Sequence, residues 1–504
     1  MKSTRRMRAG KAALFCAVAS AVGLLFCSQC SPLYPINVWG DANCLLTVGR
    51  VMREGGVLYR DIYEQKGPTL YLLHALAACI SDRSFLGVYL LEIVAWGAAL
   101  FSAWRIAERK DSEPVIPTLP FVALMAACVL TGAAFSRGDS AEEFCLPLFV
   151  WTMDIALAEY GRAQGPMRPS RLMACGLMAG LVATIKYTLL GLYIGLCVCE
   201  GVAAWKEGGL ARAVKHAGAF LCGMLMPVLA WAVYFAAQGA LGDAVQAYLI
   251  HNIFLYGAGE EMTWREALRL LRDNALWAVP AAAGLAAFCL YRDKTPAAKL
   301  CVLAMAGGQM ITVFLLGRVW PYSPMAMTPF AVLAVPAARR AAGAVIRLGR
   351  GNRRQTAPRR TALGPVRGAA SAGICLLAAA VAWQMTPNAF LRGQKLDDLA
   401  QGRLAGYIEE GATLLQYNHL DDGLYLTSGA LPQQKYFVRL NVALDEMDQE
   451  LDRYVREGIP DYVLVTWNEL PQEFDRYERI AEDAGYDDSN RINKMFYLYR
   501  RKSE

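Results

Sequence analysis

The sequence predicts a polytopic α-helical membrane protein with a small α/β domain at its C-terminal end, on three observations. Of its 504 residues, 55% are apolar and 19% charged, an apolar excess beyond what one soluble core requires. Apolar runs of near-membrane length recur from Ala12 to Met385. Charge also divides along the chain, because the stretch from Thr386 onward holds 14 basic and 22 acidic residues within a protein of net charge +7. That split is a topology signal and does not point to a nucleic-acid partner.

Crossing about 30 Å of hydrocarbon takes roughly 20 helical residues. Eleven runs read as spans: 12–30, 85–104, 115–135, 144–157, 172–185, 188–205, 217–237, 275–291, 300–316, 323–338 and 369–385. Lys2, Arg5, Arg6, Arg8 and Lys11 precede the first, which resembles a signal peptide; the many later spans favour a retained anchor. The apolar stretch 68–80 reaches only about 18 Å as a helix, so it reads as an interfacial helix on the outer surface. With it left out, the N-terminus and inner loops hold 26 Lys and Arg and the outer short loops 11. The positive-inside rule then sets the N-terminus in the cytoplasm and the C-terminus outside the cytoplasmic membrane.

The inner loop 339–367, rich in Arg, Gly and Pro, reads as disordered or in contact with lipid headgroups. Residues 1–385 form the expected membrane domain and 386–504 an extracytoplasmic α/β domain. Within the latter the patterns predict helix near 399–415, strand at 424–427, helix at 442–455, strand at 461–466, helix at 471–484 and strand at 495–499. All 14 Cys lie at or before Cys375, mostly in apolar runs where Cys acts as a small hydrophobe. The Cys27–Cys30 pair ends such a run and is not on the soluble βαβ unit a redox motif needs. Four scattered His do not suit a zinc site. No internal repeat is evident, which weakens a transporter reading.

The first outer loop, 31–84, is long, charged and aromatic. Asp41 opens a helical pattern at Leu45, Val48, Val51 and Met52, so it reads as a helix cap or as a reactive carboxylate. Lys66 before Gly67-Pro68 reads as a headgroup anchor or a substrate contact. The second outer loop sets Asp139, Glu142 and Glu143 at a helix start, where one or two serve the helix dipole and three exceed that need. Its Arg-Gly-Asp tripeptide is coincidental. Lys186-Tyr187, His251-Asn252, Tyr256 and Arg318-Val-Trp320-Pro-Tyr322 are further outer-face candidates, each with a snorkelling anchor as its alternative. Glu92 and Asp154 fall within spans as buried, paired groups. Tyr436, Phe437, Trp467, Tyr497 and Tyr499 could stack on sugar, but alternation favours strand core.

The pattern Asp41, Gly49-Arg50, Gly55, Tyr59-x-Asp61, Lys66-Gly67-Pro68-x-x-Tyr71 resembles the first outer loop of GT-C superfamily integral-membrane glycosyltransferases. The nearest types are bacterial members related to protein O-mannosyltransferases and lipid A aminoarabinose transferases. Ala141-Glu142-Glu143-Phe144 resembles their acidic second-loop element, Thr184-x-Lys186-Tyr187 their lysine turn, and Arg318 to Tyr322 a later loop in which Pro321 stands where many relatives have His. The resemblance implies a polyprenyl-phosphate-linked sugar as donor and transfer at the outer membrane face to an acceptor hydroxyl of a glycan, polymer, lipid or protein.

Displacing a polyprenyl phosphate needs one carboxylate base and no general acid, because phosphate leaves as a stable anion. Asp41 is the candidate base. Glu142, with Asp139 behind it, would orient the acceptor or, with Asp41, hold a divalent cation. Lys66, Lys186 and Arg318 would neutralise the leaving phosphate, with Arg50, Tyr59, Asp61 and Tyr322 as further substrate contacts. A single base predicts inversion at the anomeric carbon. A transporter or flippase of lipid-linked saccharides is the alternative, weakened because the unusual residues collect on one outer face.

Overall fold

The computed structural model describes residues 2–109, 117–161, 165–255, 263–315, 319–348, 364–487 and 490–503. The membrane part begins with α1 (Lys2–Cys27), α2 (Gly40–Arg53), α3 (Pro68–Ile80) and α4 (Leu86–Ala107). It continues through α5 (Leu119–Leu130), α6 (Ala141–Tyr160), α7 (Pro169–Lys186) and α8 (Gly191–Ala237). Helices Trp264–Asp273, Ala275–Leu290, Pro296–Phe314, Ala334–Leu348 and Gly364–Met385 complete it. Among the described residues six helices are long and apolar enough to cross a membrane, and a bent pair, Trp264–Asp273 with Ala275–Leu290, meets the test together across a 93° angle.

The long α8 is two arms. Gly208 and Gly209 break it, the latter at φ 66° and ψ −164°, a conformation open to glycine and strained for other residues. The second arm packs on α7 through small residues, where a Cβ on Gly176 would lie 2.0 Å from the Phe220 carbonyl oxygen, the close backbone approach that membrane helices favour. In the inner stretch 339–367, residues up to Leu348 continue the helix from Ala334 and those from Gly364 begin the next. Arg339 is buried and donates to Thr118 Oγ1 at 2.5 Å, which ties this helix to the bundle; residues 349–363 lie outside the described residues.

The C-terminal part is a four-stranded sheet in the order β1-β2-β4-β3. Here β1 (Leu414–Gln416) runs parallel to β2 (Tyr462–Thr466), and β4 (Ile492–Arg501) runs antiparallel to both β2 and β3 (Tyr477–Tyr486). Helix Asp445–Glu457 makes the crossover between β1 and β2 and stops at Gly458, φ 70°, a left-handed C-terminal cap. Three expectations fail. Of 399–415 only Ala400–Ala405 is α-helical, and its end is strand. The supposed strand at 424–427 is one helical turn, Leu424–Ser428, bracketed by left-handed Gly423 and Gly429. The supposed helix at 471–484 is mostly β3: its Glu, Arg and Ala content favours helix, but pairing with β4 prevails, and exposed Glu478, Arg479 and Glu482 suit an edge strand.

The C-terminal part contacts α2 and the loop that follows it. Thr47 Oγ1 donates to Asp421 Oδ2 at 2.7 Å, and Arg50 donates to the carbonyls of Tyr425 and Gly429, both at 3.0 Å. The Tyr63 N–H donates to the Lys435 carbonyl at 2.8 Å.

Candidate active site

Helix α2 has Trp39 at its N-cap position and no side-chain cap. Asp41 therefore stands in the first helical turn and is not a cap. Its carboxylate instead pairs with Lys66 Nζ at 2.8 Å, and Glu64 takes the same ammonium at 2.9 Å. Burial pulls the Lys66 pKa down, but Asp41 and Glu64 outweigh it and hold the pKa well above the usual lysine range. The ammonium lies between two carboxylates.

Local bonds shape the loop that carries Lys66. The Tyr59 hydroxyl, on a residue at φ 70°, donates to the Lys66 carbonyl at 2.6 Å. Asp61 accepts from the Val57 N–H at 2.8 Å and pairs with Arg60. His251 and Asn252 brace it from the far side, through Tyr63 at 2.7 Å and the Gln65 carbonyl at 2.6 Å.

Gly67 joins this loop to the lysine turn after α7. Its N–H donates to the Ile185 carbonyl at 3.0 Å, and a Cβ there would lie 2.2 Å from the Thr184 carbonyl oxygen. Glycine is required by that approach. It sets Lys66 and Lys186 on touching backbone segments. Lys186 Nζ pairs with Glu142 Oε1 at 2.7 Å and lies 5.3 Å from the centre of the Tyr322 ring. Tyr322 packs 5.3 Å from Trp39 and stacks on Trp320 at 6.4 Å. Glu142 Oε2 is buried without a hydrogen-bond partner. The result is two lysines, each held by carboxylate, with an aromatic wall at Trp39 and Tyr322.

The other expected residues lie elsewhere. Asp139 is buried and turned to His74, Oδ1 to Nε2 at 2.8 Å, while its N–H donates to Glu92 and Glu143. Burial pushes its pKa up against the opposing pull of His74. Arg50 is bound to the C-terminal domain, Tyr59 and Asp61 shape the loop, and Arg318 and Tyr256 lie outside the described residues. Asp41 and Glu142 each hold a lysine, and among the described residues no group of three or more His, Cys, Asp or Glu could hold a metal ion. The sequence reading missed Glu64, His74 and Trp39. The Glu-x-Lys spacing was the available signal for Glu64, since residues two apart in extended chain share a side.

The chain matches no family model and no curated protein. Its structure is similar to that of ArnT from Cupriavidus metallidurans in the apo state, over 97% of this chain and 98% of that one, at 13% identity and a TM-score of 0.63. The structure of the same protein bound to undecaprenyl phosphate aligns with the same coverage at 14% identity and a TM-score of 0.59. The likeness covers nearly the whole chain and establishes the fold. The chain shares the fold of these structures, as the resemblance of its first loop implied. With its apolar helices, that makes it a multi-pass membrane protein.

Proposed function

We propose that this chain is a membrane glycosyltransferase that moves a sugar from a polyprenyl-phosphate donor to an acceptor hydroxyl at the outer face of the cytoplasmic membrane. The product would belong to a cell-envelope glycan or glycolipid. In this reading all eleven apolar runs are spans, the N-terminus is cytoplasmic, and residues 386–504 form the domain over the site. One observation carries the proposal: Lys66 and Lys186 lie on touching backbone, and each is held by carboxylate, at 2.8 and 2.7 Å. An incoming phosphate can take over both cations.

The chemistry follows from that exchange. When Lys66 turns to the donor phosphate, the Asp41 carboxylate is freed from the ammonium and open to the acceptor hydroxyl. Its carboxylate takes the acceptor hydroxyl's proton while the acceptor oxygen bonds to the anomeric carbon. The bond from that carbon to the phosphate oxygen breaks, and its electron pair leaves with the polyprenyl phosphate. Lys66 and Lys186 stabilise the developing phosphate charge where it forms, and Glu142, released by Lys186, orients the acceptor. Asp41 then gives its proton to water. A single displacement by the acceptor oxygen, from the face opposite the phosphate, inverts the anomeric centre.

The test is transfer from radiolabelled polyprenyl-phosphate sugars in membranes bearing wild type or Asp41→Asn. Label is expected in product with wild type alone and with inverted configuration. An active Asp41→Asn variant, or a retained centre, overturns the mechanism.

A further inference from the structure

The opposite end of the helix bundle holds a cavity of about 590 Å³ that the proposed transfer does not use. It lies where α4 and α6 end and α7 begins, closed by the end of Ala275–Leu290, the start of Pro296–Phe314 and part of Ala334–Leu348. Helix α6 spans the two places, with Glu142 in its first turn and Glu159 on the cavity wall, about 25 Å apart at 1.5 Å per residue. None of Asp41, Lys66, Glu142 and Lys186 lines it. By the charge asymmetry of the loops, this is the cytoplasmic side.

Its wall combines two chemistries. Seven Arg and Lys side chains face four carboxylates, an excess of three positive charges, and Phe101, Trp104, Phe288 and Leu333 supply an apolar side. Several guanidiniums are positioned by the fold. Arg105 and Arg109 share Asp154, whose side chain is 1% exposed. Arg168 forks onto Glu159 at 3.0 and 2.7 Å, and Arg340 lies 3.9 Å over the Tyr291 ring. The Arg171 side chain is exposed and makes no ion pair among the described residues.

Planar guanidiniums match phosphate oxygens two at a time, and basic pockets between helix ends on the cytoplasmic side suit anionic headgroups. The apolar side has no use for a soluble anion but covers an acyl chain. We propose that this cavity binds the phosphate group of an anionic phospholipid of the inner leaflet, with its chains along Phe101, Trp104 and Phe288. The inference is independent of glycosyl transfer.

The test uses the full-length protein in detergent, titrated with phosphatidylglycerol, phosphatidylcholine or inorganic phosphate, with melting temperature and retained lipid in native mass spectrometry as readouts. Phosphatidylglycerol is expected to stabilise the wild type and phosphatidylcholine is not. Arg171→Gln and Arg340→Gln should each weaken phosphatidylglycerol about tenfold, the loss of one charge-assisted contact. Glu159→Gln, which frees Arg168, should tighten it. Arg171 is exposed, so its variant keeps the test valid if Arg340→Gln fails to fold. Equal affinity for the two lipids, or unchanged affinity in Arg171→Gln, overturns the proposal. Inorganic phosphate binding as tightly as phosphatidylglycerol overturns the lipid as the source.

Discussion

Gly67→Ala tests whether the contact between the first loop and the lysine turn sets the geometry of the two lysines. The added Cβ would lie 2.2 Å from the Thr184 carbonyl oxygen, 2.5 Å from its carbon and 2.7 Å from the Ile185 oxygen. All three atoms are backbone, so no side chain can rotate away. Reaching ordinary contact moves one segment by about 1 Å, and such overpacking costs about 1–3 kcal/mol. The same shift stretches the 3.0 Å bond from Gly67 to Ile185, with a further loss of about 1 kcal/mol. A displacement of about 1 Å between groups that clamp one phosphate costs on the order of 100-fold in rate. The assay pairs transfer rate at saturating donor with thermal melting, and Gly218→Ala is the control because a Cβ there meets nothing within 4 Å. If Gly67→Ala matches wild type in both rate and melting temperature, the contact does not set the site.

Other outcomes follow from the same structure. Lys186→Met should lower the transfer rate by about 100-fold or more, as loss of one charge-stabilising contact does, with folding intact by size-exclusion chromatography. Arg50→Met removes donors to two carbonyls, each worth about 1.5 kcal/mol or more, so limited proteolysis should cut sooner near residues 386–398. His74→Gln leaves buried Asp139 without its ion-pair partner and should destabilise the protein by about 3–5 kcal/mol, read by thermal melting. Burial pushes the Asp421 carboxyl up to about 6, above its unfolded value of about 4. The folded state then holds the proton more tightly, so stability falls as pH rises from about 4 to about 6 and is recovered on acidification, by roughly 3 kcal/mol. Asp421→Asn should flatten that dependence in melting curves taken between pH 4 and 7.

Much of the membrane part was legible because apolar length is a local signal. The stretch 68–80 was found to the residue as α3, since Gly67-Pro68 starts the helix where the apolar run begins. Lys66, Asp41, Lys186 and Glu142 stood out as charges beside apolar spans, but their pairing is a tertiary fact that no spacing encodes. Asp139 looked equivalent to Glu142 in sequence. Its left-handed backbone, φ 63°, turns it toward His74, and nothing local shows that. Strand β3 was missed because an edge strand pairs on one side alone, so its solvent-facing charges obscured the strand pattern.

The bond from Thr47 to Asp421 spans 374 residues of chain. At about 5–20 residues per second of synthesis, roughly 20 to 75 seconds separate the emergence of its two ends. During that interval α2 and the first loop stand in or at the membrane without the domain that covers them. The Arg50 guanidinium, bound in the finished protein to the Tyr425 and Gly429 carbonyls, has no such partners until then. Maturation of this loop is therefore a late event in synthesis, and a chain halted before residue 421 lacks all three of these partners.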